Sequence, residues 1–258
     1  MKTSSSSQTH LEAEITGRRD LAPDLWILRV QTEQPFDFLP GQFATLGVAV
    51  DGKLVERPYS IVSSPRESEL EFFLERVPAG ELSSRLYPLK PGDRISIRKA
   101  AKGVFGLDEK SGRRKHLMVA TVTGVAPFVS IVRTLRHDER RSSASAGHAL
   151  FLLEGASRSW ELGYDEELTR VEKKVSWLRY VPTVSRPWED TAWRGERGRV
   201  HEWISKSLEL FRCKPSDTTA YLCGHPGMIE AGRDILSASG FAKEAIQEER
   251  FWVAPKEE

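Results

Sequence analysis

Apolar positions follow two different rhythms along the chain. From about residue 10 to residue 105, short apolar runs are separated by turn residues, and Pro-Gly pairs stand at 40–41 and 91–92. Short strands with little helical periodicity are typical of an antiparallel sandwich or barrel. The first half is therefore predicted to be an antiparallel β domain. Its strands are expected at 25–31, 43–50, 56–62, 70–77 and 93–99.

After the basic segment 109–115 the rhythm changes to continuous apolar runs that alternate with helical stretches. This alternation indicates βαβ units, in which helices cover both faces of a parallel sheet. The second half is predicted to be a doubly wound α/β domain, whose ligand binds at the carboxyl ends of the strands. Its strands are expected at 116–122, 149–156, 177–184 and 219–224.

Length and composition agree with two globular domains. A chain of 258 residues is too long for one ordinary core, and 39% hydrophobic with 29% charged residues describes a soluble protein. We expect a disordered segment at 1–9, a first domain at 10–108 and a second domain at 109–258. The formal net charge of +1 gives no reason to expect a nucleic acid or an anionic membrane as a partner.

Features missing from the sequence narrow the class further. No apolar run approaches the roughly 18 residues that span a bilayer, and the start MKTSSSSQT lacks the apolar centre of a secretory signal. A cytoplasmic protein is expected. Cys213 and Cys223 are too few for a disulfide framework or an iron–sulfur cluster, and the histidines lack metal-ligand spacing. No metal site is expected, so any electron-carrying cofactor has to be organic.

The run RPYS (57–60), at the edge of a predicted strand, is the first candidate for chemistry. Pro58 keeps the backbone extended, so that the Arg57 guanidinium and the Tyr59 ring lie near each other. Such a pair is suited to a planar, anionic ligand. The alternative is a plain edge strand, in which proline is tolerated and the polar side chains face water.

Two further segments have the features of phosphate-binding loops. In VPAGELSSRL (77–86) a glycine lets the backbone turn, and serine hydroxyls follow it. The alternative is a helix start capped by Ser83, and the two interpretations are compatible because a helix N-terminus is itself an anion site. TVTGVAPF (121–128) lies where a strand is expected to end and a helix to begin, which is the usual site for a pyrophosphate.

Six motifs, taken in order, resemble the ferredoxin–NADP reductase family, and its bacterial type most closely. They are RPYS (57–60), VPAGELSSRL (77–86), ATVTGVAPF (120–128), EGASRSWELGY (154–164), YLCGHPGMI (221–229) and EERFW (248–252). The resemblance covers about residues 10 to 253. It implies an FAD-binding antiparallel β-barrel followed by an NADP-binding, doubly wound α/β domain.

For FAD, the resemblance implies that Arg57 pairs with the pyrophosphate, that Tyr59 packs on the isoalloxazine ring and that Ser60 lies near its reactive nitrogen. A guanidinium fork matches phosphate oxygens, and a phenol offers an aromatic face. Phe251 would cover the second flavin face, and Trp252 would stack on the adenine. The implied FAD-binding residues are Arg57, Pro58, Tyr59, Ser60, Leu74, Val77, Glu81, Leu82, Ser83, Ser84, Thr123, Phe251 and Trp252.

For the nucleotide, the resemblance implies a cluster of three arginines that follow strand ends: Arg158, Arg186 and Arg199. They favour NADP over NAD because they can bind the phosphate on its ribose. Three guanidiniums converging there would repel one another without an anion. The alternative is that they are separate, exposed arginines. The implied NADP-binding residues are Thr123, Gly124, Ser157, Arg158, Ser185, Arg186, Arg199, Cys223 and Gly224.

Hydride transfer requires little acid–base chemistry from a protein, because the nicotinamide and the flavin carry the reaction. The resemblance assigns Ser60, Cys223 and Glu249 as catalytic residues that hold the nicotinamide over the flavin. Cys223 is alternatively a small buried residue at a strand end. Val122 departs from the family pattern, which has a glycine there. A β-branched residue resists positive φ and close backbone approach, or else it simply extends the strand.

The favoured function is a monomeric FAD enzyme that passes electrons between NADPH and a ferredoxin or a flavodoxin. The first alternative is the reductase component of an oxygenase, or a diaphorase, built on the same scaffold. The second alternative is a non-catalytic flavin or nucleotide sensor, in which Val122 has disabled turnover.

Overall fold

The structure, a computed structural model, describes residues 9–77, 80–138 and 147–251. Within these residues the chain forms two six-stranded sheets, one after the other. A one-turn helix, α1 (Ser83–Leu86), lies between the last two strands of the first sheet. That sheet consists of β1 (His10–Ala22), β2 (Leu25–Thr32), β3 (Phe43–Val50), β4 (Lys53–Ser60), β5 (Leu70–Glu75) and β6 (Arg94–Arg98).

The first sheet is antiparallel, in the order β4-β3-β6-β1-β2-β5. A bridge between Ile61, directly after β4, and Phe72 on β5 joins its two edges, so the sheet closes on itself. Closure removes the free edges that an open sheet would expose. Trp26, Phe72 and Leu82 fill the interior as fully buried side chains. The prediction of an antiparallel β domain is confirmed, although β1 with its many polar residues was not among the predicted strands.

The second sheet is parallel throughout, in the order β10-β9-β8-β7-β11-β12. Its strands are β7 (Lys115–Thr121), β8 (Ala149–Ala156), β9 (Leu178–Val184), β10 (Glu196–Arg197), β11 (Thr218–Gly224) and β12 (Ile246–Arg250). The helices are α2 (Ala126–His137), α3 (Asp165–Glu172), α4 (Ile204–Leu210) and α5 (Pro226–Ala238). The chain adds β8, β9 and β10 on one side of β7, then returns to place β11 and β12 on the other. Ligands of doubly wound domains bind at such a reversal, which here lies between the ends of β7 and β11.

Two apolar clusters cover the two faces of this sheet, as a buried parallel sheet requires. One of them also contains residues of the first domain. Phe105 packs against Phe128 of α2 and Tyr221 of β11, with ring centroids 5.6 and 5.8 Å apart. The two domains therefore share one core. Among the described residues, no helix is both long and apolar enough to cross a membrane.

A buried ionic network also joins the domains. The Arg133 guanidinium of α2 lies 3.0 Å from a Glu71 oxygen on β5 and 2.7 Å from a Glu167 oxygen on α3. The Tyr164 hydroxyl donates to the same Glu71 at 2.9 Å. Arg29 also pairs with Glu71 at 2.8 Å and remains largely exposed. Because Glu71 is buried and shares these partners, the network holds β5 of the first domain in place against α2 and α3 of the second.

Candidate active site

A cavity of about 1240 Å³ lies between the domains. The end of β4 and the segment around α1 form its first wall. The ends of β7, β8, β9, β11 and β12, with the segments that follow them, form the second wall. The predicted site residues that line it are Arg57, Pro58, Tyr59, Ser60, Val77, Glu81, Leu82, Ser83, Thr123, Ser157, Ser185, Arg186, Arg199, Gly224, Glu249 and Phe251.

Several predicted site residues do not line the cavity. Leu74 is buried in the core of the first domain, and Ser84 is exposed on α1. Gly124 and Cys223 are buried behind the second wall. Arg158 also lies outside the lining, where it pairs with Glu161 and Glu189. Trp252 lies outside the described residues.

The sequence analysis also missed part of the lining. Phe43 begins β3 directly opposite Ser60, so its place was readable only from the strand register. His225 directly follows two predicted site residues, Cys223 and Gly224, and this position in the sequence could have identified it as part of the lining. Other lining residues that were not named as ligand-binding are Phe73, Glu75, Gly80, Thr121, Val122, Ala126, Gly155, Ala156, Val200, His201, Gly227, Met228 and Arg250, of which Gly80, Thr121, Val122 and Ala126 lie in the predicted phosphate-binding segments.

Arg57 lies on β4 and reaches toward α1. Its Nη2 donates to Glu81 Oε2 at 2.7 Å, and its Nη1 donates to the Glu56 carbonyl at 2.7 Å. The Arg57 and Glu81 side chains are 52% and 62% exposed. An ion pair this exposed contributes only about 0 to 1 kcal/mol. The Arg57 guanidinium is therefore available to exchange this partner for a stronger anion.

Ser83 was considered as a helix cap, and that interpretation is wrong. The helix already begins at Ser83, its N-cap position is Leu82, and Leu82 makes no capping hydrogen bond. The Ser83 hydroxyl instead accepts from the Val77 backbone N–H at 3.1 Å. This bond closes the loop that leads into α1, so Ser83 stabilises the shape of the first wall.

Tyr59 and Ser60 end β4 at the centre of the cavity. Burial raises the pKa of Tyr59 to about 12, against the opposing effect of Arg57. The phenol is therefore neutral at any physiological pH. The Ser60 hydroxyl donates to Glu249 Oε1 at 2.9 Å, which links the first domain to β12 of the second.

Glu249 and Cys223 are direct neighbours in the register of β12 and β11. Burial raises the pKa of Glu249, and the hydrogen bond from Ser60 opposes that shift. Burial raises the pKa of the Cys223 thiol well above its usual value, and Glu249 adds to the effect. Cys223 is therefore a neutral thiol, not a thiolate nucleophile.

The ends of β7 and β11 approach each other more closely than side chains would allow. A Cβ atom at Gly124 would lie 2.4 Å from the Cys223 carbonyl oxygen, and one at Gly224 would lie 2.3 Å from Thr121 Oγ1. Gly224 also has a φ of 123°, which favours glycine. The Thr121 hydroxyl accepts from the His225 N–H at 2.8 Å and joins the two strand ends.

Val122 begins a 3-10 turn, Val122–Val125, that leads into α2. Its φ is 45°, a left-handed conformation that is rare for a β-branched residue. The interpretation that Val122 simply extends the strand is therefore wrong, because β7 ends at Thr121. In the part of the chain that the structure describes, no side chain caps this turn or α2. The Ala126 N–H donates to the Thr123 carbonyl and Pro127 has no N–H, so the N–H groups available to a ligand are those that begin the turn.

The predicted arginines of the second wall carry acidic partners. Arg158 Nη1 donates to Glu161 at 3.0 Å, and Arg158 Nη2 pairs with Glu189. Arg186 Nη1 lies 3.7 Å from the second oxygen of Glu189. Two of the three predicted arginines are thus brought together by one carboxylate. Arg199 begins a separate 3-10 turn and lines the cavity without joining this cluster.

These features fit the two groups that the sequence analysis expected. The first wall offers an exchangeable guanidinium and a neutral aromatic ring, which suit the phosphates and the flavin ring of FAD. The second wall offers an uncapped turn after β7 beside Gly224 at the end of β11, which suits a dinucleotide pyrophosphate.

Comparison with known proteins agrees with this division. Residues 12–105 match the family model described as an oxidoreductase FAD-binding domain, and residues 118–234 match the oxidoreductase NAD-binding domain. A ferredoxin NADP+ reductase from Neisseria gonorrhoeae, crystallised with FAD and NADP, superposes with a TM-score of 0.82 at 25% identity. That comparison covers 95% of this chain and 99% of the other.

Curated relatives show the same family. The ferredoxin–NADP reductase of Pseudomonas aeruginosa is 31% identical over 212 residues, which are 79% of this chain and 80% of the relative. The flavodoxin/ferredoxin–NADP reductase of Escherichia coli is 36% identical over 197 residues, which are 74% of this chain and 76% of the relative. The chain therefore belongs to the flavodoxin/ferredoxin–NADP reductase family.

Proposed function

We propose that this protein is an FAD-dependent reductase that exchanges a hydride with NADPH and single electrons with a ferredoxin or a flavodoxin. The observation that carries the proposal is the single cavity lined by both the RPYS strand and the strand ends of the second domain. Cofactors bound to the two walls would meet inside it. Bound FAD supplies the chemistry that divides a two-electron hydride into single electrons.

The first wall binds FAD by charge and by stacking. Arg57 exchanges Glu81 for the pyrophosphate, because a phosphate accepts the guanidinium fork in two places. Tyr59 presents a ring that stays uncharged, since its pKa is raised to about 12. Phe251 lines the cavity, where its N–H donates to the Gly224 carbonyl at 3.1 Å, and we assign it to cover the flavin.

Ser60 and Glu249 line the cavity and orient the nicotinamide, and Cys223 supports Glu249 from behind. The Ser60–Glu249 hydrogen bond of 2.9 Å fixes the direction of the hydroxyl, and the buried Cys223 thiol lies beside Glu249 in the strand register. Burial raises the pKa of the Cys223 thiol, which is therefore neutral, and burial also raises the pKa of Glu249 while the Ser60 hydrogen bond opposes that shift. Their contribution is to position the ring and to exclude water, and no proton transfer by them is required.

The second wall binds the dinucleotide. We assign the pyrophosphate to the N–H groups of the 122–125 turn, and the ribose phosphate to Arg158, Arg186 and Arg199. The Ser185 hydroxyl donates to the Ala156 carbonyl at 3.3 Å and holds together the segments that carry Arg158 and Arg186. The arginines make NADP the favoured nucleotide.

The partner, the location and the assembly state are parts of the same proposal. The names of the relatives support a small electron carrier, ferredoxin or flavodoxin, as the partner. The proposed location is the cytoplasm, together with this carrier. A helix-covered sheet and a self-closed barrel support a monomer. Light scattering during size-exclusion chromatography tests the last of these.

The direct test is an anaerobic titration of the purified protein. We expect flavin absorption in the isolated protein, bleaching of that absorption by NADPH, and recovery when oxidised ferredoxin or flavodoxin is added. Bleaching by NADH alone would favour an oxygenase-type reductase or a diaphorase. Protein that is colourless, and that fails to bind added FAD, would contradict the proposal.

A further inference from the structure

Glu189 lies between two of the arginines assigned to the ribose phosphate. One of its carboxylate oxygens pairs with Arg158 Nη2, and the other lies 3.7 Å from Arg186 Nη1. The carboxylate thus bridges two guanidiniums that belong to separate segments, one after β8 and one after β9. An internal anion therefore already occupies two of the arginines that are assigned to the phosphate of NADP.

The local fold brings Glu189 to this place. Pro187 begins a 3-10 turn, Pro187–Glu189, in which the Glu189 N–H donates to the Arg186 carbonyl at 3.0 Å. The next residue, Asp190, is buried and accepts from the Ser159 N–H at 2.9 Å. This bond ties the turn to the segment that carries Arg158, so the carboxylate reaches both arginines.

The neighbouring carboxylate, Glu161, has a different role. It accepts from the backbone N–H groups of Ser157 and Arg158 at 2.8 and 3.2 Å, as well as from the Arg158 side chain. Glu161 therefore maintains the shape of its own segment. Among the described residues, the Glu189 carboxylate makes its ionic contacts with Arg158 and Arg186 alone and receives no backbone N–H. The fold thus holds Glu189 through these two cations.

A carboxylate at this position has opposite effects on the two nicotinamide dinucleotides. A ribose 2′-phosphate must displace Glu189 from both arginines or bind beside a like charge. A ribose 2′-hydroxyl is neutral and can donate to the carboxylate, the role that an acidic residue has in NAD-binding domains. The penalty therefore falls on the phosphorylated nucleotide.

We propose that Glu189 is a specificity-determining residue that weakens binding of the 2′-phosphate and lets the site accept the unphosphorylated nucleotide as well. The inference rests on the proposed function, because it assigns a role within the same nucleotide site. It predicts a smaller preference for NADPH over NADH than Arg158, Arg186 and Arg199 alone would produce.

Calorimetric titration with 2′-phospho-AMP and with AMP tests this role of Glu189, because it measures binding affinity without turnover or flavin reduction. Glu189→Gln keeps the size of the side chain and removes its charge. We expect 2′-phospho-AMP to bind this variant about tenfold more tightly than it binds the unchanged protein. AMP should bind the variant equally well or more weakly. The matched control is Glu196→Gln, an exposed position on β10, which should leave both affinities unchanged. Should Glu189→Gln fail to fold, Glu189→Ser serves the same purpose.

The outcomes separate this inference from the function on which it rests. If the unchanged protein binds neither ligand, the nucleotide site is wrong and the role of Glu189 is wrong with it. If the unchanged protein binds 2′-phospho-AMP but Glu189→Gln shifts neither affinity, or shifts both by the same factor, only the role of Glu189 is wrong. Steady-state kinetics with NADPH and NADH should repeat the pattern in KM, with kcat unchanged.

Discussion

The two walls of the cavity hold their charges in different ways. On the first wall, Arg57 and Glu81 form a pair that is mostly exposed, so water competes with it throughout. On the second wall, Glu189 bridges Arg158 and Arg186 with only 35% of its side chain exposed. An exposed pair is replaced easily by an incoming phosphate, whereas a bridging carboxylate competes with one. The comparison teaches that the affinity of an arginine cluster for an anion depends on how strongly acidic neighbours already pair with the arginines.

The second wall also stores unfavourable terms. Val122 is held at a φ of 45°, a strain of about 1 to 3 kcal/mol for such a residue. Behind the wall, Glu154 is fully buried on β8 and accepts from the Tyr180 hydroxyl at 2.6 Å, while its second oxygen has no partner among the described residues. Four changes test whether the two walls differ as described.

The largest effect is expected for Glu154, through pH. Burial raises its pKa to about 8, so between its ordinary value and 8 the folded protein retains a proton that the unfolded chain has released. The free energy of unfolding should therefore fall as pH rises through this window, by about 3 kcal/mol between pH 5 and pH 8. Glu154→Gln should remove this slope. Urea denaturation at several pH values measures it, and parallel curves for the two proteins would contradict the assignment.

The next effect is expected for Arg57. Arg57→Ala should weaken FAD binding about 100-fold, because the charge-assisted contact to the phosphates is lost and such a contact contributes about 1.5 to 3 kcal/mol. The ratio of flavin to protein absorption measures occupancy. Arg94→Ala is the matched control, since Arg94 forms a similarly exposed pair with Glu33 at 2.9 Å outside the cavity lining. Equal flavin content in both variants would show that Arg57 is not the anion clamp.

A smaller effect is expected for Val122. Val122→Gly should tighten NADPH and NADH about fivefold alike, because a glycine adopts positive φ without strain and allows closer backbone approach. The pyrophosphate is common to both nucleotides, which distinguishes this change from Glu189→Gln. Titrations that follow flavin bleaching measure the affinities for NADPH and for NADH. A change confined to one nucleotide would place the Val122 side chain against the ribose, not the pyrophosphate.

The smallest effect is expected for Glu81. Glu81→Gln should change FAD affinity by less than about threefold and the free energy of unfolding by less than about 1 kcal/mol, because an exposed pair contributes little. Fluorescence titration of the flavin-free protein measures the first quantity. If Glu81→Gln changed FAD affinity as strongly as Glu189→Gln changes that of 2′-phospho-AMP, the contrast between the walls would disappear.

The main elements were readable from local pattern alone. The predicted strand at 43–50 agrees with β3 at both ends, and the predicted 149–156 agrees with β8. Continuous apolar runs are reliable because a strand covered on both faces must be apolar throughout. The first part of β1 alternates buried apolar with polar residues, but the strand was missed because a long polar stretch around Arg18 and Arg19 follows.

The candidate site was less readable, for a physical reason. Ser83 has the residue type of a cap, yet its hydroxyl accepts a bond from Val77, a contact that depends on how the loop folds. Leu74 belongs to a motif-bearing region but points into the core. In both cases the residue type was informative, but the side chain's direction depended on packing.

By itself, the sequence determined the order of the two domains, the residue types of both walls and the likeness to a family of reductases, because periodicity and short motifs are local properties. Only the tertiary structure decided that Ser60 meets Glu249 across the domains at 2.9 Å, that Val122 takes a φ of 45°, and that Glu189 reaches two arginines. These contacts join segments far apart in the chain or depend on the exact end of a strand. Their geometry follows from the shared core that packs one domain against the other.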